Sequence, residues 1–146
     1  GVAKSVTMTD LEYSLPGCRR NLARNELEGR MMTSSAVMPL DWNTFPANQE
    51  LVPSVADAVD VIIAADTVWL SELVSPFVKT LAALCTPPER RTDVIMAYQR
   101  RGQDADRALW SALDSHGFSA DVLSVDPLES QNITIYRIFL ALPIRG

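Results

Sequence analysis

A chain of 146 residues, 47% hydrophobic and 21% charged, is long enough for one domain with a real core and too short for two. Its net charge of −5 argues against a nucleic-acid partner, because phosphate binding needs clustered Lys and Arg, and Arg19-Arg20, Arg90-Arg91 and Arg100-Arg101 each have acidic neighbours. No apolar run approaches the ~18–20 residues that cross a bilayer, and Cys18 and Cys85 lie far apart without metal-ligand spacing, as core thiols of a reduced cytoplasmic or nuclear protein would.

The chain opens on Gly1 and enters a strand-like segment at once, which reads as a cut through the middle of a larger domain. Residues 5–9 alternate apolar and polar through Val6 and Met8 and run into Asp10, a strand. A helix follows with Leu15, Cys18, Leu22 and Leu27 along one stripe, Ser14 as N-cap and Gly29 as stop; Pro16 is tolerated in the first turn. Residues 31–38 predict a weaker strand ending in Pro39-Leu40-Asp41-Trp42, and the polar, proline-punctuated residues 43–57 a loop. Val61-Ile62-Ile63-Ala64-Ala65 is an unbroken apolar run ending in Asp66, which predicts a strand covered on both faces of a parallel sheet.

Ser75-Pro76 then predicts the start of a helix with Phe77, Val78, Leu81 and Leu84 inward and Pro87-Pro88 closing it. Residues 93–98 repeat the buried-strand pattern, and a helix carrying Leu109, Trp110 and Leu113 follows. The single histidine, His116, falls in the last turn of that helix before Gly117, where a cation is favoured; this plain role outweighs that of a ligand or a base. Two strands, 121–125 and 133–142, close the chain around the turn-rich segment 126–132, the place to look for specificity determinants.

The order β-α-β-β-α-β-α-β-β implies an α/β fold, a three-layer sandwich with right-handed crossovers. Ligands of such sheets collect beyond the carboxyl ends of the strands. The residues there are Asp10, Asp41-Trp42, Asp66 to Trp69, and Tyr98 to Arg101.

These strand ends, in this order, resemble the Rossmann-like seven-strand fold of class I S-adenosylmethionine-dependent methyltransferases, and most of all the eukaryotic methyltransferase-like protein-lysine methyltransferases. The matching stretches are residues 3–10, Asn21-Leu22-Ala23-Arg24-Asn25, Leu40-Asp41-Trp42, residues 60–69, Glu72-Leu73-Val74 with Pro76, residues 94–101, and Gly117-Phe118. The resemblance implies S-adenosyl-L-methionine as cofactor and a protein partner as substrate. It implies that Asp10 accepts hydrogen bonds from the ribose hydroxyls, that Asp41 reaches the adenine amine with Trp42 against its face, and that Ala65 leaves room for the cofactor chain. Asp66 and Trp69 resemble the family's four-residue signature, an aspartate followed three residues later by an aromatic. Tyrosine or phenylalanine is usual there and tryptophan is a departure. An aromatic face beside a carboxylate can hold a lysine side chain by cation–π and ion-pair attraction, and the resemblance gives Asp66 and Trp69 the catalytic positions. Tyr98, Arg100 and Arg101 are candidates for the substrate rim. Plainer readings stand beside these: a capping or turn aspartate at Asp10, core packing at Trp42, a helix cap with a hydrophobic lid at Asp66 and Trp69, and a solvated strand exit at 98–101.

The fold's first strand and its glycine-rich turn are absent from residues 1–146, which contain no G-x-G. We therefore expect a single, partial methyltransferase domain. Its second and fourth parent strands would stand about one strand spacing, roughly 4.8 Å, beyond pairing distance, leaving two edges to be completed by an upstream segment, by closure of the sheet or by another chain. Weak or no cofactor binding by these residues alone is expected. Two other readings remain: a non-catalytic remnant that binds a protein, and a small-molecule methyltransferase of the same fold. A phosphate-accepting receiver domain would need an acidic pair after its first strand and a lysine after its last, and has neither here.

Overall fold

The computed structural model describes residues 3–29, 34–45, 59–85, 91–125 and 132–141. They fall into two units, Gly1–Phe45 and Pro46–Gly146.

In the first unit, β1 (Ser5–Asp10) and β2 (Ser34–Pro39) pair in parallel, in register from Ser5↔Ser34 to Asp10↔Pro39. Parallel neighbours need a crossover, and the segment between them supplies a 3₁₀ turn (Glu12–Ser14) running straight into α1 (Leu15–Leu27). Ser14 is not the side-chain cap expected: it is already helical, and its own N–H donates to the Leu11 carbonyl at 2.9 Å. Pro16 sits in the first turn, where its missing N–H costs nothing. The helix stops at Gly29, whose φ of 65° few other residues adopt. Leu15 is buried, and Cys18 and Leu22 continue its stripe half-buried. Leu27, expected on that stripe, is 89% exposed; at 100° per residue it lies roughly 120° round the helix from Leu15. Residues 31–33 of the expected second strand, and 46–57 of the expected loop, lie outside the described residues.

The second unit contains β3 (Val61–Ala65), α2 (Ser71–Leu84), β4 (Asp93–Gln99), α3 (Gln103–Ser115), β5 (Phe118–Val125) and β6 (Ile133–Leu140). The sheet order is β3-β4-β6-β5, with β3 and β4 parallel and β6 antiparallel to both its neighbours. The β5–β6 register slips between Val122 and Ser124. α2 begins four residues before the expected start, at Ser71, so Pro76 lies inside the helix. Its ring removes the bond to the Glu72 carbonyl, which is tolerable because Glu72 lies in the exposed first turn. The helix closes at Cys85, whose N–H donates to the Leu81 carbonyl; Pro87-Pro88 lie outside the described residues, as does most of 126–132.

One face of this sheet carries the core. Val94, Met96 and Tyr98 of β4 are buried, Ala64 and Ile138 sit beside Met96 and Val94 in register, and Trp110 of α3 makes edge contacts with Tyr98 and Tyr136. α2 packs alongside α3 and buries Val74, Phe77, Val78 and Leu81. Burial of both faces of β3, expected from its unbroken apolar run, is not what the structure shows. Ala64 is buried, while Val61, Ile63 and Ala65 on the other face are exposed, Ile63 by 79%. Among the described residues β3 pairs on one side only, with β4, and β1 on one side only, with β2. An apolar run reports what a strand's faces tolerate, and these residues leave one face of β3 without a covering layer.

Candidate functional site

Asp66 follows the last residue of β3. Its backbone N–H extends the ladder to the Ala97 carbonyl at 3.2 Å, and its φ of 52° turns the chain out of the sheet in the left-handed region that a short polar side chain tolerates. The plain reading of a helix cap does not hold here: Leu70 is the N-cap of α2 and no side chain caps it. The lid is not Trp69 either, since Val68 is the buried residue of the turn and Trp69 is 52% exposed. The carboxylate goes across the sheet instead, where Oδ2 accepts a hydrogen bond from Arg101 Nη2 at 2.7 Å. Arg101 Nε in turn donates to Gln99 Oε1 at 3.1 Å. The carboxyl ends of two parallel strands are thus tied by side chains 35 residues apart in sequence.

The other expected residues of this unit separate into two groups. Arg100 and Arg101 stand at the surface after β4. Tyr98 does not share their position: it is 5% exposed and lies in the ring layer under α3. Burial first, and then the neighbouring Asp106 carboxylate, push its hydroxyl above the usual range. Arg100 forms an ion pair with Asp106 at 3.0 Å, and Asp106 Oδ1 also accepts from Trp110 Nε1 at 3.1 Å. Asp106 is not among the residues that the sequence points to, although the four-residue spacing of Asp106 and Trp110 is a legible clue. Ala65 is small and exposed on the open face of β3.

In the first unit, Asp10 and Asp41 come together at the ends of neighbouring strands. Asp10 pairs with Pro39, and its carbonyl accepts from Leu40 N–H at 2.9 Å, one residue before Asp41. Each carboxylate spends one oxygen on its own turn. Asp10 Oδ1 takes the Leu11 N–H at 2.7 Å, and Asp41 Oδ1 takes the Asn43 N–H at 2.9 Å and Nδ2 at 3.2 Å. Among the described residues the Oδ2 atoms have no partner. Trp42 is half-buried beside them.

Comparison with known proteins decides the family, since the sequence matches that of the lysine methyltransferases over residues 2–116. The chain belongs to the lysine methyltransferase family. Solved structures place its fold among class I S-adenosylmethionine-dependent methyltransferases. Magnesium protoporphyrin IX methyltransferase (ChlM) from Synechocystis PCC 6803 with bound SAM matches with a TM-score of 0.54 and 16% identity, over 92% of this chain and 59% of that one. The same enzyme with bound SAH matches at 0.52 and 15% identity, over 92% of this chain and 64% of that one. The CurJ carbon methyltransferase matches at 0.54 and 12%, over 96% of this chain and 49% of that one. At such identities the likeness is one of fold, and the chain spans less than two thirds of each of these proteins. Among curated proteins no sequence matches it.

The residues of this lysine methyltransferase homologue fit one end of the family's cofactor. Two carboxylates at adjacent strand ends, each with an oxygen unused among the described residues, suit the hydroxyls and amine of an adenosine. The sequence of residues 1–146 offers no glycine turn for the amino-acid end.

Proposed function

We propose that residues 1–146 are a partial methyltransferase domain, and that the intact protein transfers a methyl group from S-adenosyl-L-methionine to a lysine of a protein partner in the cytoplasm or nucleus. The observation that carries this reading is the family match over residues 2–116, within which an exposed Asp66 and an exposed Trp69 follow β3. Asp10 would accept from the ribose hydroxyls, Asp41 from the adenine amine, and Trp42 would offer a flat apolar face. Ala65 would leave space beside β3. When bound, S-adenosylmethionine supplies an electrophilic methyl carbon that a neutral amine takes in one displacement, with loss of one proton to water and release of S-adenosylhomocysteine. The protein's part is to hold the amine in line and strip its water rather than to provide a strong base. Asp66 accepts a hydrogen bond from the lysine nitrogen and Trp69 lies along its methylene stem, with Arg100 and Arg101 at the rim.

Calorimetric titration of S-adenosylhomocysteine into residues 1–146 and into the intact parent protein tests this. Binding by the intact protein, abolished by Asp10→Ala, is expected, together with methylation of a lysine peptide that Asp66→Ala abolishes. Residues 1–146 alone are expected to bind weakly or not at all. Absence of binding by both would leave a non-catalytic, protein-binding remnant. Binding with methylation of small molecules only would replace the lysine substrate.

A further inference from the structure

Asp66 and Arg101 form an ion pair at 2.7 Å. Both side chains are about half exposed, and an ion pair of that kind adds little to folding. Its geometry is nevertheless fixed from both ends. Asp66 is held by a left-handed backbone and by the bond to Ala97, and Arg101 by Gln99. Among the described residues Oδ1 of Asp66 accepts no hydrogen bond, so the carboxylate presents one oxygen outward while its charge is balanced on the other. The nearby Arg100 is engaged by Asp106 of α3 and does not compete for Asp66. Glu72, in the first turn of α2, is the next charged residue after Asp66.

We propose that Arg101 is a positioning residue that balances the charge of Asp66, so that the end of β3 accepts a lysine side chain as the neutral amine and not as a tightly held ammonium. This rests on the methyl-transfer reading. A bare carboxylate at Asp66 would bind an ammonium well, and would therefore stabilise the form that cannot accept a methyl group. With Arg101 on Oδ2, the outward oxygen still accepts an N–H, but the summed charge no longer favours the cation.

Two measurements test this. In the intact protein, Arg101→Met is expected to lower KM for a lysine peptide and to lower kcat at neutral pH by ~10-fold, with the kcat profile displaced about one pH unit to the alkaline side. Arg101→Lys, which keeps a cation, is expected to restore the profile. A loss of kcat that is uniform in pH, with no fall in KM and no rescue by lysine, would mean a structural role and overturn the proposal. The second measurement needs neither cofactor nor turnover: residues 1–146 are titrated with Nα-acetyl-lysine methyl ester while the indole N–H resonance of Trp69, identified by its loss in Trp69→Phe, is followed by NMR. Arg101→Met is expected to bind this ammonium ~10-fold more tightly than the unchanged protein, and the gain is expected to vanish when Asp66→Asn is added. Equal binding with and without Arg101 would overturn the charge-balance proposal even if the parent enzyme methylates lysine. The full gain, in a parent protein that methylates nothing, would overturn the methyl-transfer reading and leave the charge balance standing.

Discussion

The two units differ in how much core they own. In Gly1–Phe45 a single side chain among the described residues, Leu15, is a fully buried hydrophobe, and the sheet is one parallel pair. Among the described residues of Pro46–Gly146 fourteen hydrophobic residues are buried, from Ala64 to Ile138, under two helices that share one face of a four-stranded sheet. Parallel pairs are ordinarily buried on both faces, and two strands alone are marginal in water. The residues proposed for the cofactor, Asp10, Asp41 and Trp42, are therefore carried by the unit with least packing of its own. Those proposed for the acceptor amine stand on the better packed one. Among the described residues β1 and β3 each pair on one side only, so neither unit closes its sheet at these strands.

Core truncation should bring out this contrast most strongly. Leu109 and Ile138 have no exposed surface, and replacing either with Ala is expected to cost ~2–5 kcal/mol, the transfer of the lost methylenes plus the cavity left behind. Leu22 of α1 is half-buried, and Leu22→Ala is expected to cost about 1 kcal/mol. Urea unfolding of the three variants measures both. Equal losses would mean that the first unit has a core comparable to the second, and the contrast would fall.

How legible an element was in the sequence depends on its local spacing and not on the unit that carries it. α3 could be read from periodicity, because its buried residues recur at the spacing that an amphipathic helix requires, whereas β4 was legible as a strand from its apolar run, whose burial alternates instead of covering both faces equally. The placement of Asp66 at the end of β3 was also legible, as the first polar residue after an apolar run. What the run could not tell was whether both faces of β3 would be covered, since that depends on other segments. Pro76 misled because proline favours a first turn, and here the helix gains its earlier turn from Ser71 to Ser75 despite the lost bond. Leu27 is apolar but lies roughly 120° round the helix from Leu15, so its residue type alone does not place it on the buried stripe. The Arg101–Asp66 link was invisible: Arg101 was placed at the rim for its position, and nothing in a single sequence pairs residues 66 and 101.

The thiols sharpen the comparison at a smaller scale. Cys85, at the end of α2, is buried, and that burial pushes its thiol up to about 11. At pH 8 only about one molecule in a thousand would carry the reactive thiolate. Cys18 lies on the half-buried stripe of α1. A maleimide or disulfide reagent at pH 8 is expected to modify Cys18 first, and Cys85 only in urea at concentrations that unfold the second unit. Mass spectrometry of the labelled chain reads this directly, and simultaneous labelling of both thiols in native buffer would mean that the second unit opens as readily as the first.

The smallest effect concerns the electrostatics at the amino end of β4. Asp93 accepts hydrogen bonds from Arg137 of β6 at 3.0 Å and from Arg91 at 3.4 Å, and both guanidiniums lie over the ring of Phe139. The bond from Arg137, against the opposing effect of burial and with the charges of Arg137 and Arg91, holds the Asp93 carboxyl below its usual range. A carboxylate lowered on folding contributes stability that is fully present above its unfolded value, near 4 for an aspartate, and that is lost as pH falls through the lower folded value. Arg137→Met keeps an apolar stem beside Phe139 but removes the donor. The variant should therefore be less stable than the parent at pH 7, and the difference should shrink as the solution is acidified below about pH 4. In the first unit the corresponding pair, Arg24 with Glu28, is an exposed contact four residues apart on one helix, and its removal should cost little stability at pH 7. Chemical unfolding of Arg137→Met and Arg24→Met across this range decides between them. If the Arg137 difference persists undiminished at low pH, the arginine acts through its cover of Phe139 and not through Asp93, and the advantage of the second unit is one of apolar burial alone.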